Sequence, residues 1–206
     1  MSRYRGPRLR IIRRLGELPG LTTKLPTKKN PPGQHGPNLA KKKQSASEYK
    51  IRLLEKQKLR FNYGLNERQL VRYVRQARKK KGSTGFYLMQ LLEMRLDSII
   101  FRLGICPTIP SARQFVTHDH VLVNNKKVNI PSFQCQPNDI ITIENKQKIR
   151  NVVQSNLDQT QFSSMPTHLE FDKQNLKAEI KDFVSRDDLS FRANELLIVE
   201  YYARIV

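Results

Sequence analysis

Acidic residues are nearly missing from the first part of this chain. Met1 to Lys81 hold 4 Asp+Glu against 24 Lys+Arg, whereas Gly82 to Val206 hold 14 of each, so the first segment carries the entire formal charge of +20. Charge gathered at one end repels itself unless something neutralises it, so a polyanion along that end is expected rather than a solvated, partner-free face. Cysteine is almost as scarce. Cys106 and Cys135 stand far apart with no secretory signal ahead of them, which argues against a disulfide framework or a Cys-based zinc site and for a reducing compartment. No apolar run approaches the roughly 18 residues of a membrane span. Met1 to Arg14 lack the apolar core of a secretory signal, although their Arg-rich, acid-poor composition is that of a transit peptide. His118 and His120 have a spacing that suits a strand-borne metal pair, but no third ligand cluster accompanies them, and no metal or cofactor is expected.

Residues 1 to 47 hold six of the eleven prolines, five of the nine glycines and one aromatic residue, Tyr4. That is too little apolar surface to offset ordering entropy alone, so residues 1–44 read as a disordered-prone basic arm that orders on nucleic acid. Within it Ile11, Ile12, Leu15 and Leu18 suit a short amphipathic turn among Arg8, Arg10, Arg13 and Arg14, ended by Pro19-Gly20. Arg3, Arg5 and the run Lys41, Lys42 and Lys43 complete its candidate phosphate contacts.

Ser45 with Glu48 predicts a capping box, and Ile51, Leu54 and Leu59 predict a helix that Asn62-Tyr63-Gly64 ends. Asn66 with Gln69 predicts a second start. That second helix would bury Leu70, Val74 and Ala77 and turn Arg68, Arg72, Arg75 and Lys79 outward at spacings of four, three and four. Lys79-Lys80-Lys81 with few nearby acids favours phosphate contact over a solvated face. Tyr49, Tyr63 and Tyr73 read as core in preference to base-stacking platforms.

From Phe86 to Leu103 the apolar spacing fits one long helix or two short ones, with Asp97 in a first turn and Gly104 at the end. Thr108 predicts an N-cap, with Ala112, Phe115 and Val116 inward and Arg113 and Gln114 outward. Val121-Leu122-Val123 and Lys127 to Ile130 flank Asn124-Asn125 as a hairpin, and Ile140 to Ile143 form a third strand after Pro137-Asn138-Asp139. Residues 145 to 168 look like a linker, His168 to Phe171 like a strand, and Glu195 to Tyr202 like a closing helix or strand.

Leu92-Glu93-Met94-Arg95-Leu96-Asp97, Phe101-Arg102-Leu103-Gly104, Ser111 to His118, Val121 to Asn124 and Pro137 to Ile140 together resemble the RNA-binding domain named after small-ribosomal-subunit protein S-four. That domain also occurs in some pseudouridine synthases, tyrosyl-tRNA synthetases and heat-shock proteins. Lys56 to Phe61, Glu67-Arg68-Gln69, Lys81 to Gly85 and Asn194 to Tyr202 resemble the helical domain of the ribosomal protein itself. The likeness runs from Tyr4-Arg5-Gly6-Pro7 to the C-terminus, weakest at 145 to 165, and is greatest to the plastid-encoded version, which implies no transit peptide. Many bacterial members carry an N-terminal cysteine cluster that binds zinc; this arm has no cysteine. Asn125 stands where the family usually has Gly, so a different turn type is expected in a surviving hairpin.

The resemblance implies an α+β fold: the arm at 1–44, a helical domain at 45–91 completed by 194–206, and an S-four-type domain at 92–193. The core module of that domain, 92–145, would be two helices followed by a small antiparallel sheet. On a continuous helix Arg95, Ser98 and Arg102 share an outward face, with Arg113 beside them as a further RNA contact; alternatively Arg95 pairs with Asp97 or Glu93. Ser111, Gln114, Asn124 and Lys126 are further candidates, and His118 either caps carbonyls or contacts a phosphate. Arg95-Leu96-Asp97 also resembles the catalytic motif of pseudouridine synthases, but its flanking elements and the synthetase signature loops are missing, so Asp97 reads as a helix-start residue.

The implied protein is not an enzyme. It would be a structural constituent of the small ribosomal subunit that binds 16S-type ribosomal RNA at a multi-helix junction of the 5′ domain. It would also nucleate assembly of the subunit body, contact small-subunit protein five and other ribosomal proteins where messenger RNA enters, and contribute to translational accuracy. The chloroplast stroma is the expected location, with the bacterial cytoplasm as the alternative. A stand-alone RNA-modifying or RNA-rescue protein and a DNA-binding protein are the competing functions.

Overall fold

A computed structural model describes residues 4–28, 30–37, 47–159, 165–189, 191 and 193–203. Arg3, Lys41, Lys42, Lys43 and Ser45 lie outside the described residues. The chain forms two compact units, Met1–Gly85 with Ala193–Val206, and Phe86–Arg192.

In the first unit, helix α1 (Arg8–Leu15) buries Ile11, Ile12 and Leu15, and Leu18 and Leu21 follow them into the core. The expectation of an arm awaiting nucleic acid is therefore corrected for this stretch. Composition weighed the segment alone, whereas α1 packs against helix α2 (Glu48–Asn62), which supplies the other half of the apolar contact. Each buried aliphatic side chain contributes about 1.5–3 kcal/mol, which offsets part of the ordering cost. Tyr4 meets the Phe61 ring edge-on at 5.5 Å, and the Gly20 amide donates to Asn62 Oδ1 at 2.9 Å. Gly16, at φ 92°, ends α1 in a left-handed conformation that favours glycine.

Helix α2 starts two residues later than the Ser45 box predicts, because Ser47 is the residue whose side chain accepts from the Lys50 amide. Helix α3 (Glu67–Arg78) carries the predicted Asn66/Gln69 box with both halves formed. Tyr63 and Tyr73 are core, whereas Tyr49 is 62% exposed. Near the C-terminus the chain forms a helix rather than a strand, α8 (Glu195–Ala203), which buries Ile198 and Tyr202.

The second unit takes in most of α4 (Thr84–Glu93), followed by α5 (Leu96–Arg102) and α6 (Ile109–Thr117). These first two are separate helices. Residues 131–135 run into the break between them. The Cys135 amide donates to the Met94 carbonyl, and the Leu96 and Asp97 amides donate to the carbonyls of Phe133 and Pro131, at 2.9–3.1 Å. The first amides of α5, which have no partner within their own helix, are satisfied in this way. Thr108 caps α6 as predicted, with its side chain accepting from the Ser111 amide.

Strands β1 (Val121–Val123), β2 (Lys126–Lys127), β3 (Ile140–Ile143), β4 (Leu169–Asp172) and β5 (Lys177–Ile180) form one antiparallel sheet in the order β2-β1-β3-β5-β4. Asn124 and Asn125, at φ 49° and 62°, adopt the two positive values that a two-residue hairpin turn of type I′ requires, the type that Asn-Gly also makes, so the hairpin survives and the expected change of turn type is corrected. Strand β2 is shorter than the predicted 127–130. Within the expected linker, 160–164 lie outside the described residues and 147–159 instead form helix α7 (Gln147–Gln159). Ile149 and Val153, one turn apart, bury its inner side, and Asn156 Nδ2 donates to the Ile105 carbonyl at 2.9 Å.

Candidate nucleic-acid interface

Acidic side chains in the first unit lie mostly on or against α2, and that distribution selects the surface left positive. Arg52 pairs with Glu48 and Glu200, Lys58 with Glu55, and Lys56 and Arg60 with Glu67. Helix α3 differs. Leu70, Val74 and Ala77 are fully buried on its inner side, and Arg68, Arg72, Arg75 and Lys79 are exposed on the other. None of these four forms an ion pair among the described residues. At 1.5 Å per residue the ridge runs about 16 Å, long enough to span neighbouring phosphates of a folded RNA strand.

The basic residues preceding α2 divide in two. Arg5, Arg10 and Arg14 are exposed. Arg13 is not a free contact, because its Nε and Nη2 donate to the carbonyls of Asn30 and Pro31 at 2.8 and 3.2 Å and hold that loop to α1. Arg8 reaches the Leu21 carbonyl through Nη1 at 3.3 Å.

In the second unit burial removes the shared outward face expected of Arg95, Ser98 and Arg102: the helix break sets Arg95 apart as the residue before α5, and Ser98 and Arg102 remain on α5 but are buried. Arg95 and Ser98 are each 1% exposed. Arg95 binds Asp97 in a fork, Nε to Oδ1 at 2.9 Å and Nη2 to Oδ2 at 2.7 Å. Arg102 binds Glu93 in the same manner. Arg113, placed outward by the sequence pattern, turns back so that its Nε donates to Asp97 Oδ2 at 2.8 Å. Paired and hydrogen-bonded charges are the form in which such groups tolerate burial. Phe115 is half-buried.

Gln114, His118, Asn124 and Lys126 are exposed and Ser111 is half-exposed. Asn124 also has a structural task, since its side chain donates to Asp139 and accepts from the Ile140 amide. His118 caps α6 through its backbone amide, bonded to the Gln114 carbonyl. His120 lies 3.5 Å from Glu144, a carboxyl held down at about 2 chiefly by Lys146 and Lys127. The described residues contain no group of three or more His, Cys, Asp and Glu fit to hold a metal. Both cysteines are buried and free, and burial pushes the Cys106 thiol up to about 12. Lys126 and Lys127 occupy the β2 edge, with Lys127 paired to Glu144, whereas at the β4 side Glu170 stands opposite Glu179 and Asp172 opposite Lys177, and Lys181 pairs with Glu170.

Residues 3–93 match the family described as ribosomal protein S4/S9 N-terminal domain, and residues 94–141 match the S4 domain. Small ribosomal subunit protein uS4 of Thermosynechococcus vestitus is 58% identical over 206 residues, covering all of both chains. Protein uS4c of Cyanophora paradoxa is 58% identical over 99% of this chain and all of its own. The chain belongs to the uS4 family. The junction between the two matched uS4 regions, Glu93 to Met94, coincides with the break between α4 and α5. Two features of this uS4-family chain were not legible in its sequence. One is the joining of Asp97 to Arg113, whose only signal is a carboxylate in a first helical turn. The other is the contact of Tyr202 with Glu67, 135 residues apart.

Proposed function

We propose that the chain is a structural constituent of the small ribosomal subunit that binds small-subunit ribosomal RNA directly. As a member of a family of ribosomal structural proteins it is not an enzyme. One observation carries the reading: on the first unit carboxylates pair four of the five cations of α2 and, among the described residues, leave the four cations of the α3 ridge unpaired. Arg5, Arg10 and Arg14 add to that anchor, with Gln114, His118 and Lys126 as the shape-reading contacts of the second unit.

The reading extends to nucleation of the subunit body and to a shared surface with small-subunit protein five where messenger RNA enters, with an effect on translational accuracy. The identity to the Cyanophora paradoxa protein supports the chloroplast stroma, and the cyanobacterial relatives support a bacterial cytoplasm. Co-sedimentation with small subunits through a high-salt wash tests the assignment. The unaltered protein should remain bound. A variant carrying Arg68→Gln, Arg72→Gln, Arg75→Gln and Lys79→Gln should wash off, its binding less steeply salt-dependent by roughly 0.7–0.9 per lost phosphate contact. Release of the unaltered protein, with equal affinity for duplex DNA, would refute it.

A further inference from the structure

Helix α8 lies near the C-terminus yet belongs to the same unit as the ridge helix α3. It packs against both α2 and α3, and the Tyr202 hydroxyl donates to Glu67 Oε1 at 2.6 Å. Glu67 opens α3. Its carboxylate also accepts from Lys56 Nζ of α2 at 3.1 and 3.0 Å, and Arg60 Nη1 stands 3.6 Å away. One carboxylate is therefore where three helices meet. Burial works against its charge, but the Tyr202 hydroxyl and the Lys56 ammonium outweigh that and hold Glu67 below its ordinary value.

The position of this junction matters because the ridge strains its own helix. Arg68, Arg72, Arg75 and Lys79 repel one another at spacings of three and four. Arg68 also places a cation in a first turn, where the helix dipole favours an anion. Glu67 supplies the anion, and its bond to Tyr202 ties the start of α3 to α8.

We propose that Glu67 and Tyr202 are positioning residues for RNA binding, fixing α3 in the pose in which its four cations act as one phosphate-binding surface. The inference rests on the reading of that ridge as an RNA contact. A consequence is that this surface is complete only once α8 has been made and has docked.

The test uses the full chain with Tyr202→Phe, which keeps the ring and removes the hydroxyl, and with Glu67→Gln, which keeps the shape and removes the charge. Binding to a small-subunit ribosomal RNA transcript is measured across a salt series, alongside hydrogen exchange of the α3 amides without RNA. Arg72→Gln with Arg75→Gln serves as the ridge control. Both positioning variants should bind roughly three- to tenfold more weakly, with a shallower salt dependence and faster α3 exchange. The ridge control should show the shallower salt dependence with α3 exchange unchanged. A lower melting temperature with unaltered salt dependence in Tyr202→Phe and Glu67→Gln would overturn the proposal, leaving only a structural bond. A ridge control that binds like the unaltered protein would instead overturn the reading of the ridge.

Discussion

Asp97 is 0% exposed and is bonded to two arginines. Removing its charge leaves the 1%-exposed Arg95 without its counter-ion, whereas removing Arg113 still leaves Asp97 one partner. Asp97→Asn should therefore cost about 3–5 kcal/mol, the range for breaking a buried pair from one side, and Arg113→Gln clearly less. Urea unfolding of the two variants measures the difference. His168 is the other buried ionisable group with a consequence. It is 4% exposed, and burial lowers its pKa from 6.5, with Arg102 acting in the same direction and Asp188 and Glu93 opposing. The folded protein thus binds fewer protons here than the unfolded chain. The stability this represents is present above pH 6.5 and is lost as pH falls below it, by at most about 1.4 kcal/mol per pH unit. Asp188, held down at about 2 by Thr167 and Ser185 despite its own burial, adds a separate loss below its ordinary 3.8. Urea unfolding at pH 7.5, 6.5 and 5.5 should show the first decline, and His168→Phe should flatten it.

Elements announced by local chemistry were legible in the sequence. The Asn66/Gln69 box, the Thr108 cap and the Asn124-Asn125 turn each depend on residues within three or four positions, so spacing alone identifies them. Elements that depend on a distant partner were not. Helix α1 has too little apolar surface to stand alone and becomes stable only against α2. Helix α7 has two inward residues, Ile149 and Val153, in a stretch of Gln, Asn and Ser, which gives almost no periodic signal. The break before α5 is filled by residues 131–135, more than thirty positions away. The candidate interface divides the same way. Outward orientation of the α3 ridge follows from helical spacing, whereas the inward turn of Arg113 depends on where Asp97 ends up.

At the scale of the whole molecule, the excess positive charge is confined to one part of the chain. Leu92 to Asn145, which contains the module most like the S4 domain, holds five basic and five acidic residues, so it gains little from phosphate attraction. Residues 1 to 81 supply all the excess. Neutralising cations of residues 1 to 81 should therefore weaken binding to any RNA and flatten its salt dependence, whereas altering the module at 92 to 145 should relax preference for the cognate RNA with the salt dependence nearly intact. Deleting residues 1–44 is unsuitable for this purpose, because Ile11, Ile12, Leu15, Leu18 and Leu21 belong to the core and would be lost with the charge. Arg5→Gln, Arg10→Gln and Arg14→Gln remove exposed cations alone. Gln114→Ala with Lys126→Ala removes exposed groups of the module and spares the buried Asp97 cluster. Competition between folded small-subunit ribosomal RNA and duplex DNA at matched salt separates the two effects. The triple arginine variant should keep its preference ratio while losing affinity. The module variant should lose on the order of 1–3 kcal/mol on the ribosomal RNA alone. Uniform weakening by both variants would mean that recognition is not divided between the units.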